Sequence, residues 1–176
     1  MHKKTITPSG IERHLQDNDL IVSKTDLRGR ITYGNLAFAH FSGYSEAEFM
    51  SQPHNLVRHP DMPRSVFKLL WDLIASGNEV FAFVKNLCKD GTHYWVFANV
   101  TPSYDPKGQL IGYYSVRRKA NVHAVSTIEK IYKEMLHIEK NTAGNAGLSA
   151  ALDWLSENLK KQNQDYESFV MQIQSN

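Results

Sequence analysis

The segment Pro53-His54-Asn55-Leu56-Val57-Arg58-His59-Pro60-Asp61-Met62-Pro63 decides how this sequence can fold. Its prolines lack an N–H and restrict the residues before them, so no regular helix or inner strand can run through it. We therefore predict a stiff, irregular connection whose dense polar side chains suit a binding site. Residues 65–75 follow with helical apolar spacing, Gly77 ends that helix, and Asp61 or Met62 is expected to cap it.

The composition indicates one globular domain with an extension, in 176 residues of which 41% are apolar and 11% aromatic. The net charge of +2 is too small to predict a nucleic-acid partner. Cys88 is the only cysteine, which excludes an intrachain disulfide and fits a cytoplasmic protein. Because the sequence has neither a signal peptide nor a bilayer-spanning apolar run, we expect no membrane segment and a cytoplasmic location.

Strand-like segments stand on both sides of the proline-rich segment, two before it and three after the helix at 65–75. Asn35 can cap a short helix between them, and Ser45 with Glu48 forms the capping box of another. Because strands and helices are segregated along the chain, we predict an α+β fold: a five-stranded antiparallel sheet with short helices on one face. The predicted strands cover residues 20–25, 30–34, 79–86, 93–101 and 110–117, and Pro102 to Gly108 is assigned to a loop.

The predicted organisation is an N-terminal arm (1–18), a central domain (19–120) and C-terminal α-helices (121–176). One helical turn is expected in the arm, around residues 11–15. Near the C-terminus, apolar residues recur in alternating steps of four and three, a heptad pattern interrupted by Gln162. Two interpretations stay open: the helices fold back on one another or on the sheet, or they form a coiled coil with a second copy or another protein. The seam consists of Leu148, Leu152, Leu155, Leu159, Gln162, Tyr166, Phe169 and Ile173.

The order of the elements resembles that of a PAS domain, as do the motifs Gly43-Tyr44-Ser45-Glu46 and Lys89-Asp90-Gly91-Thr92. More specifically, the segment 53–63, together with Val84-Lys85-Asn86 and His93-Tyr94-Trp95-Val96, resembles the PAS domain of bacterial aerotaxis receptors. In that family the domain binds FAD non-covalently and reports its redox state. The resemblance therefore implies a PAS fold and a FAD-binding sensor rather than an enzyme. One departure is Val80, which stands where aerotaxis receptors carry a tryptophan.

The resemblance also implies which side chains contact the flavin. The guanidinium of Arg58 has the planar fork of donors that suits a pyrophosphate. The amide of Asn86 offers a donor and an acceptor, which matches the mixed edge of an isoalloxazine ring. The predicted cofactor-binding residues are Arg58, His59, Asp61 and Asn86 as flavin contacts, Asn35 and Phe67 on the pocket wall, and Trp71 and Trp95 among the aromatic residues around it.

Each of these residues also has a purely structural interpretation. Arg58 can pair with Asp61 or cap a helix, His59 can be a packed core histidine, and Asn86 can be a turn or strand-edge residue. Cys88, beside Lys85 and Lys89, is expected at a solvated hairpin end rather than as a reactive thiol.

Three functions stay open on the sequence alone. The first is a FAD-binding sensor that relays redox or oxygen state through its C-terminal helices to a signalling partner, and that forms a homodimer. The second is a haem PAS domain, whose axial ligand would come from His54, His59, His93 or Cys88. The third is a ligand-free interaction module, for which the sign would be a pocket filled by Phe81 or Phe83.

Overall fold

A computed structural model describes residues 6–142 and 144–175 and shows the predicted antiparallel sheet. The spatial order of its strands is β2-β1-β5-β4-β3, and every neighbouring pair is antiparallel. The α+β prediction is therefore confirmed. The strands are β1 (Ile21–Thr25), β2 (Ile31–Gly34), β3 (Val80–Leu87), β4 (His93–Tyr104) and β5 (Leu110–Lys119).

Three helices and one 3-10 turn connect β2 to β3. The Asn35 side chain accepts from the Phe38 N–H at the start of the first helix, and Gly43 ends it in the left-handed conformation, as predicted. The capping box of Ser45 and Glu48 is also present. These elements are α1 (Leu36–Ser42), α2 (Glu46–Phe49), the 3-10 turn His54–Val57 and α3 (Arg64–Ala75).

Two local predictions are wrong. Strand β4 runs through Pro102 to Tyr104 instead of ending before the proline. Because β3 stops opposite Val100, Pro102 pairs only with Tyr113 of β5 and needs no second hydrogen-bonded neighbour. The arm forms no helical turn around residues 11–15: Arg13 N–H donates to the His93 carbonyl at 2.7 Å, so this segment is extended along β4.

The alternation of side chains along the strands gives the sheet two different faces. The inner face looks toward α1 to α3 and carries Val84 and Asn86 from β3 and Ser115 and Arg117 from β5, all of which line one cavity. The outer face is aromatic, and its side chains contact each other across β3 and β4. These are Phe81, Phe83, Trp95 and Phe97.

The C-terminal segment folds back on the domain as three helices, α4 (Val122–Asn141), α5 (Gly144–Lys160) and α6 (Tyr166–Ser175). On the outer face, Tyr132 of α4 stacks on Trp95 and donates its hydroxyl to the Phe83 carbonyl at 2.8 Å. Helix α6 contacts β3, and α5 packs against α4 and α3.

In the described chain the heptad seam is therefore not one continuous helix, and its two parts pack within the chain itself. The helix stops after Lys160, where Asn163 adopts a left-handed conformation, and Asp165 begins α6 by accepting from the Ser168 N–H. Leu148, Leu155 and Leu159 are buried within the chain itself.

Candidate functional site

A cavity of about 430 Å³ lies between the inner face of the sheet and α3, within the size range of small-molecule sites. One helix forms much of its apolar wall, because residues spaced by three and four positions share one helix face. The opposite wall is built from alternate strand residues. The apolar lining consists of Phe67, Leu70, Trp71 and Ile74 from α3 and Val84, Ala98, Val100 and Tyr113 from the sheet.

Four of the eight predicted site residues line this cavity: Arg58, Asn86, Phe67 and Trp71. The proline-rich segment brings the first two together, since Arg58 forms an isolated antiparallel bridge with Asn86 of β3. The guanidinium of Arg58 lies 4.6 Å from the centre of the Phe67 ring, and its Nη2 donates to the Met62 carbonyl at 3.0 Å. Burial lowers the pKa of Arg58. The cavity wall thus holds an oriented cation beside an aromatic ring.

Asn86 is the clearest sign that the cavity is built for a polar ligand. Its side chain is 4% exposed, and its Nδ2 has no hydrogen-bond partner among the described residues. The hydroxyl of Ser115, also buried and lining the cavity, is unpartnered in the same way. A buried donor without an acceptor costs about 1–3 kcal/mol. A ligand with acceptor atoms at this wall would remove that cost.

The cavity wall also carries a cluster of polar side chains that the sequence analysis does not predict. It consists of Ser23, His54 and Arg117. Arg117 Nη2 donates to His54 Nε2 at 2.8 Å, and both Nη atoms donate to Ser23 Oγ at 3.1 Å. Burial, and then the charge of Arg117, lowers the pKa of His54 to about 3. The sequence does carry a signal, because Tyr113, Ser115 and Arg117 alternate along β5 and must share one face.

The charges along the cavity are of one sign. Three arginines line it: Arg28, which is exposed, Arg58, which is half-buried, and Arg117, which is buried. None of the described residues lining the cavity is an aspartate or a glutamate. Such a site attracts an anionic ligand.

His59 and Asp61 lie outside the cavity wall. His59 is buried against His93, with ring centres 5.6 Å apart, and its Nδ1 accepts from the Asp61 N–H. Burial, and then the charge of Lys85, lowers the pKa of His59 to about 4. Asp61 accepts from Lys85 Nζ at 3.0 Å, and the same ammonium lies 3.6 Å from Glu129 of α4. Through Lys85, Asp61 of the proline-rich segment is connected to Glu129 of the C-terminal helix α4.

Asn35 and Trp95 do not line the cavity either. The Asn35 amide joins β1 to α1 by accepting from the Val22 and Phe38 N–H groups and donating to the Leu20 carbonyl. Trp95 lies on the outer face against Tyr132. Val80, which replaces the family tryptophan, is buried at the start of β3.

The expectation of a solvated Cys88 is wrong. The thiol is fully buried and donates to the Phe41 carbonyl at 3.1 Å, because the hairpin end packs against α1. Burial raises its pKa, so it is not activated by the neighbouring lysines.

Comparison with known proteins agrees with this architecture. Residues 31–117 match the PAS fold family. Over 143 residues the chain is 37% identical to the aerotaxis receptor of Escherichia coli (strain K12), a match that covers 81% of this chain and 28% of the receptor. It is 30% identical over 108 residues to the nitrogen fixation regulatory protein of Klebsiella pneumoniae, covering 61% of this chain and 22% of that protein. The chain spans only about a quarter of the length of these relatives.

Two solved structures share the fold at low sequence identity. A light-oxygen-voltage domain studied with a flavin analogue superimposes with a TM-score of 0.55 and 18% identity, covering 63% of this chain and 83% of that one. The light-state structure of the blue-light photoreceptor Aureochrome1 LOV superimposes with a TM-score of 0.54 and 20% identity. The match covers 69% of this chain and 93% of that one.

Residues 31–117 therefore form a PAS domain, and the sequence of the chain is similar to that of aerotaxis receptors. Among the residues that the structure describes, no helix combines the length and apolar character needed to cross a membrane.

Proposed function

We propose that this chain is a cytoplasmic sensor module that binds a flavin, FAD, in the cavity and relays its redox state through the C-terminal helices to a signalling partner. The observation that carries this proposal is the unpartnered Nδ2 of Asn86, a residue that is 4% exposed and lines a cavity together with Arg58. FAD supplies reversible electron acceptance at its ring, and the proposal assigns binding and signalling rather than catalysis to the protein.

The residues present fit such a cofactor. Asn86 and Ser115 offer hydrogen bonds to the polar edge of a ring, and Phe67 and Trp71 offer aromatic surface. Arg58, with the exposed Arg28 nearby on the wall, would hold a diphosphate. The similarity to aerotaxis receptors, whose PAS domain binds FAD, supports the same choice.

The two alternatives from the sequence have less support. Of the four haem-ligand candidates, only His54 lines the cavity, and Arg117 already donates to its Nε2 at 2.8 Å. For the ligand-free module, the expected sign was an aromatic side chain filling the pocket. Phe81 and Phe83 instead lie on the outer face against Phe97, and the inner cavity is open.

Two contacts would carry a change at the cavity to the C-terminal helices. Asn86 faces the cavity, while its neighbour Lys85 faces outward between Asp61 and Glu129 of α4. Helix α3, which lines the cavity, receives Glu139 of α4 at its N-terminus. We suppose two arrangements of these contacts in equilibrium. A ligand shifts that equilibrium only if it binds one arrangement more tightly than the other. Because Leu148, Leu155 and Leu159 are buried inside the chain, we place the partner surface on α4 to α6 without invoking a coiled-coil homodimer.

The test is the absorption spectrum of the purified protein before and after incubation with FAD. We expect a bound flavin spectrum in the wild type and strongly reduced occupancy in Asn86→Ser and Arg58→Ala. Asn99→Ser is the matched control, since Asn99 pairs with the exposed Glu79 away from the cavity. A wild type that takes up no FAD, or site variants that bind as well as the control, would refute the proposal.

A further inference from the structure

The buried charge of Arg117 has no counter-charge among the residues that the structure describes. Its side chain is 5% exposed and lines the cavity, and its hydrogen-bond partners are the neutral groups of Ser23 and His54. No carboxylate forms an ion pair with it among residues 6–142 and 144–175. Burying an ion without a partner is costly unless something else compensates it.

The protonation of the cluster follows from its geometry. Because an arginine N–H only donates, His54 Nε2 must accept at the 2.8 Å contact, so the imidazole is neutral with its proton on Nδ1. Burial lowers the pKa of Arg117 to about 10, which leaves the guanidinium charged at neutral pH. The cluster therefore carries one uncompensated positive charge on the cavity wall.

The rest of the lining does not neutralise this charge. Arg28 and Arg58 add positive charge, and no aspartate or glutamate is among the described lining residues. The counter-charge must come from whatever occupies the cavity.

On this basis, and resting on the proposed binding of a flavin, we propose that Arg117 makes the cavity select the negatively charged, reduced form of the ring. The neutral oxidised ring takes up two electrons from a reductant and one proton from solvent, which gives it a single net negative charge. Arg117 is a specificity-determining residue here: it stabilises one redox form over the other. Charge near the ring is a recognised way for a protein to tune a flavin.

The experiment measures the midpoint potential of bound FAD by equilibration with reference dyes and dithionite. It compares the wild type with Arg117→Gln, Arg117→Lys and Arg118→Gln. Arg118→Gln is the matched control, because it removes the same positive charge from the next residue of β5, whose side chain is exposed. We expect Arg117→Gln to weaken binding of reduced relative to oxidised FAD about tenfold, a fall in potential of about 30 mV for a two-electron couple. Arg117→Lys should retain most of the wild-type potential, and Arg118→Gln all of it.

Two further readouts separate this role from a structural one. Without FAD, the thermal midpoint of Arg117→Gln should be no lower than that of the wild type, because the substitution removes an uncompensated buried charge. The wild type should also hold FAD at a higher potential than free FAD in the same buffer, a measurement that does not depend on any variant folding.

The outcomes distinguish the two proposals. Failure of the wild type to take up FAD would overturn the proposed function and this inference together. Bound FAD whose potential is the same in the wild type, Arg117→Gln and Arg118→Gln, or lies below that of free FAD in the wild type, would overturn this inference alone.

Discussion

The two faces of the sheet use the same strands for opposite purposes. On the outer face, Phe83 and Trp95 pack against their aromatic neighbours and α4, whose Tyr132 bonds to the strand backbone. On the inner face, Asn86 and Ser115 are buried with unpartnered polar atoms beside a cavity. The outer face is therefore packed with mutually satisfied side chains, whereas the inner face combines an apolar core with unpartnered polar atoms at a cavity.

Neighbouring residues of one strand place side chains on both faces of the sheet. Along β3, Lys85 and Asn86 point in opposite directions, one toward Glu129 and Asp61 and the other into the cavity. A small shift of β3 would therefore change the Lys85 contacts on the outer face and the position of Asn86 at the cavity. In the proposed function, this connection would carry a change at the cavity to the aromatic face and α4.

The largest predicted effect is the difference in stability between removing one phenylalanine from the outer face and one from the inner face. Phe83→Ala deletes a fully buried ring and should cost about 3–5 kcal/mol in the free energy of unfolding. Phe67→Ala deletes a half-buried ring that borders the cavity and has fewer neighbours to lose, so about 1–2 kcal/mol is expected. Urea denaturation of the protein without flavin measures both. Equal losses would show that the two faces contribute alike to stability.

The second effect is a loss of stability in weak acid that comes from the inner face. His54 stays neutral in the folded protein because its pKa is lowered to about 3, whereas in the unfolded chain it protonates near its ordinary value. The unfolded state therefore binds more protons below about pH 6.5, and stability falls as the pH falls through this window. Between pH 7 and 5 this amounts to about 2 kcal/mol.

Unfolding of the wild type and His54→Gln, measured between pH 7 and 5, tests this prediction. The variant should lose distinctly less stability across the range. Part of the acid loss should remain, because the pKa values of His59 and His93 are lowered as well, in both cases chiefly by burial. His40→Gln is the control, since His40 is exposed. A variant as acid-sensitive as the wild type would mean that His54 is not held neutral.

Local patterns predicted those parts of the fold that local physics determines. The caps of α1 and α2, the helix after Pro63 and the five strands all follow from short-range rules, and they are confirmed. The heptad pattern leaves two interpretations open because it specifies a buried stripe without naming the surface that buries it. Within the chain, α4 and α3 supply that surface for α5, and β3 and α4 supply it for α6. Asn163 and Asp165 divide the seam into these two helices.

The candidate site was predicted in half, for a similar reason. Arg58 and Asn86 were found because motif and chemistry coincide in them. His59 was grouped with them because of its place in the chain, yet a one-residue step in an extended segment turns it toward His93 instead. Arg117 is not predictable in the same way, because the role proposed for it depends on the absence of a carboxylate among the described lining residues, and no sequence pattern displays that absence.

The smallest predicted effect concerns the contact that joins the outer-face helix to the cavity wall. Neither Asp61 nor Met62 caps α3, contrary to expectation, and Pro63 has no side-chain donor or acceptor to do so. Glu139 near the end of α4 does it instead, accepting from the Arg64 N–H at 3.1 Å and the Ser65 N–H at 2.8 Å. A carboxylate at a helix N-terminus satisfies otherwise free donors and complements the helix dipole.

Glu139→Ala should therefore cost about 1 kcal/mol and speed hydrogen exchange at the Arg64 and Ser65 amides. Glu134→Ala removes an exposed carboxylate from the same helix and serves as the control. Because α3 carries Phe67 and Trp71 on the cavity wall, the loosening should begin at the cavity and not on the aromatic face. Faster exchange confined to α4, with the two α3 amides unchanged, would mean that this carboxylate does not hold the helix, and only the Lys85 contact would be left to join the two faces.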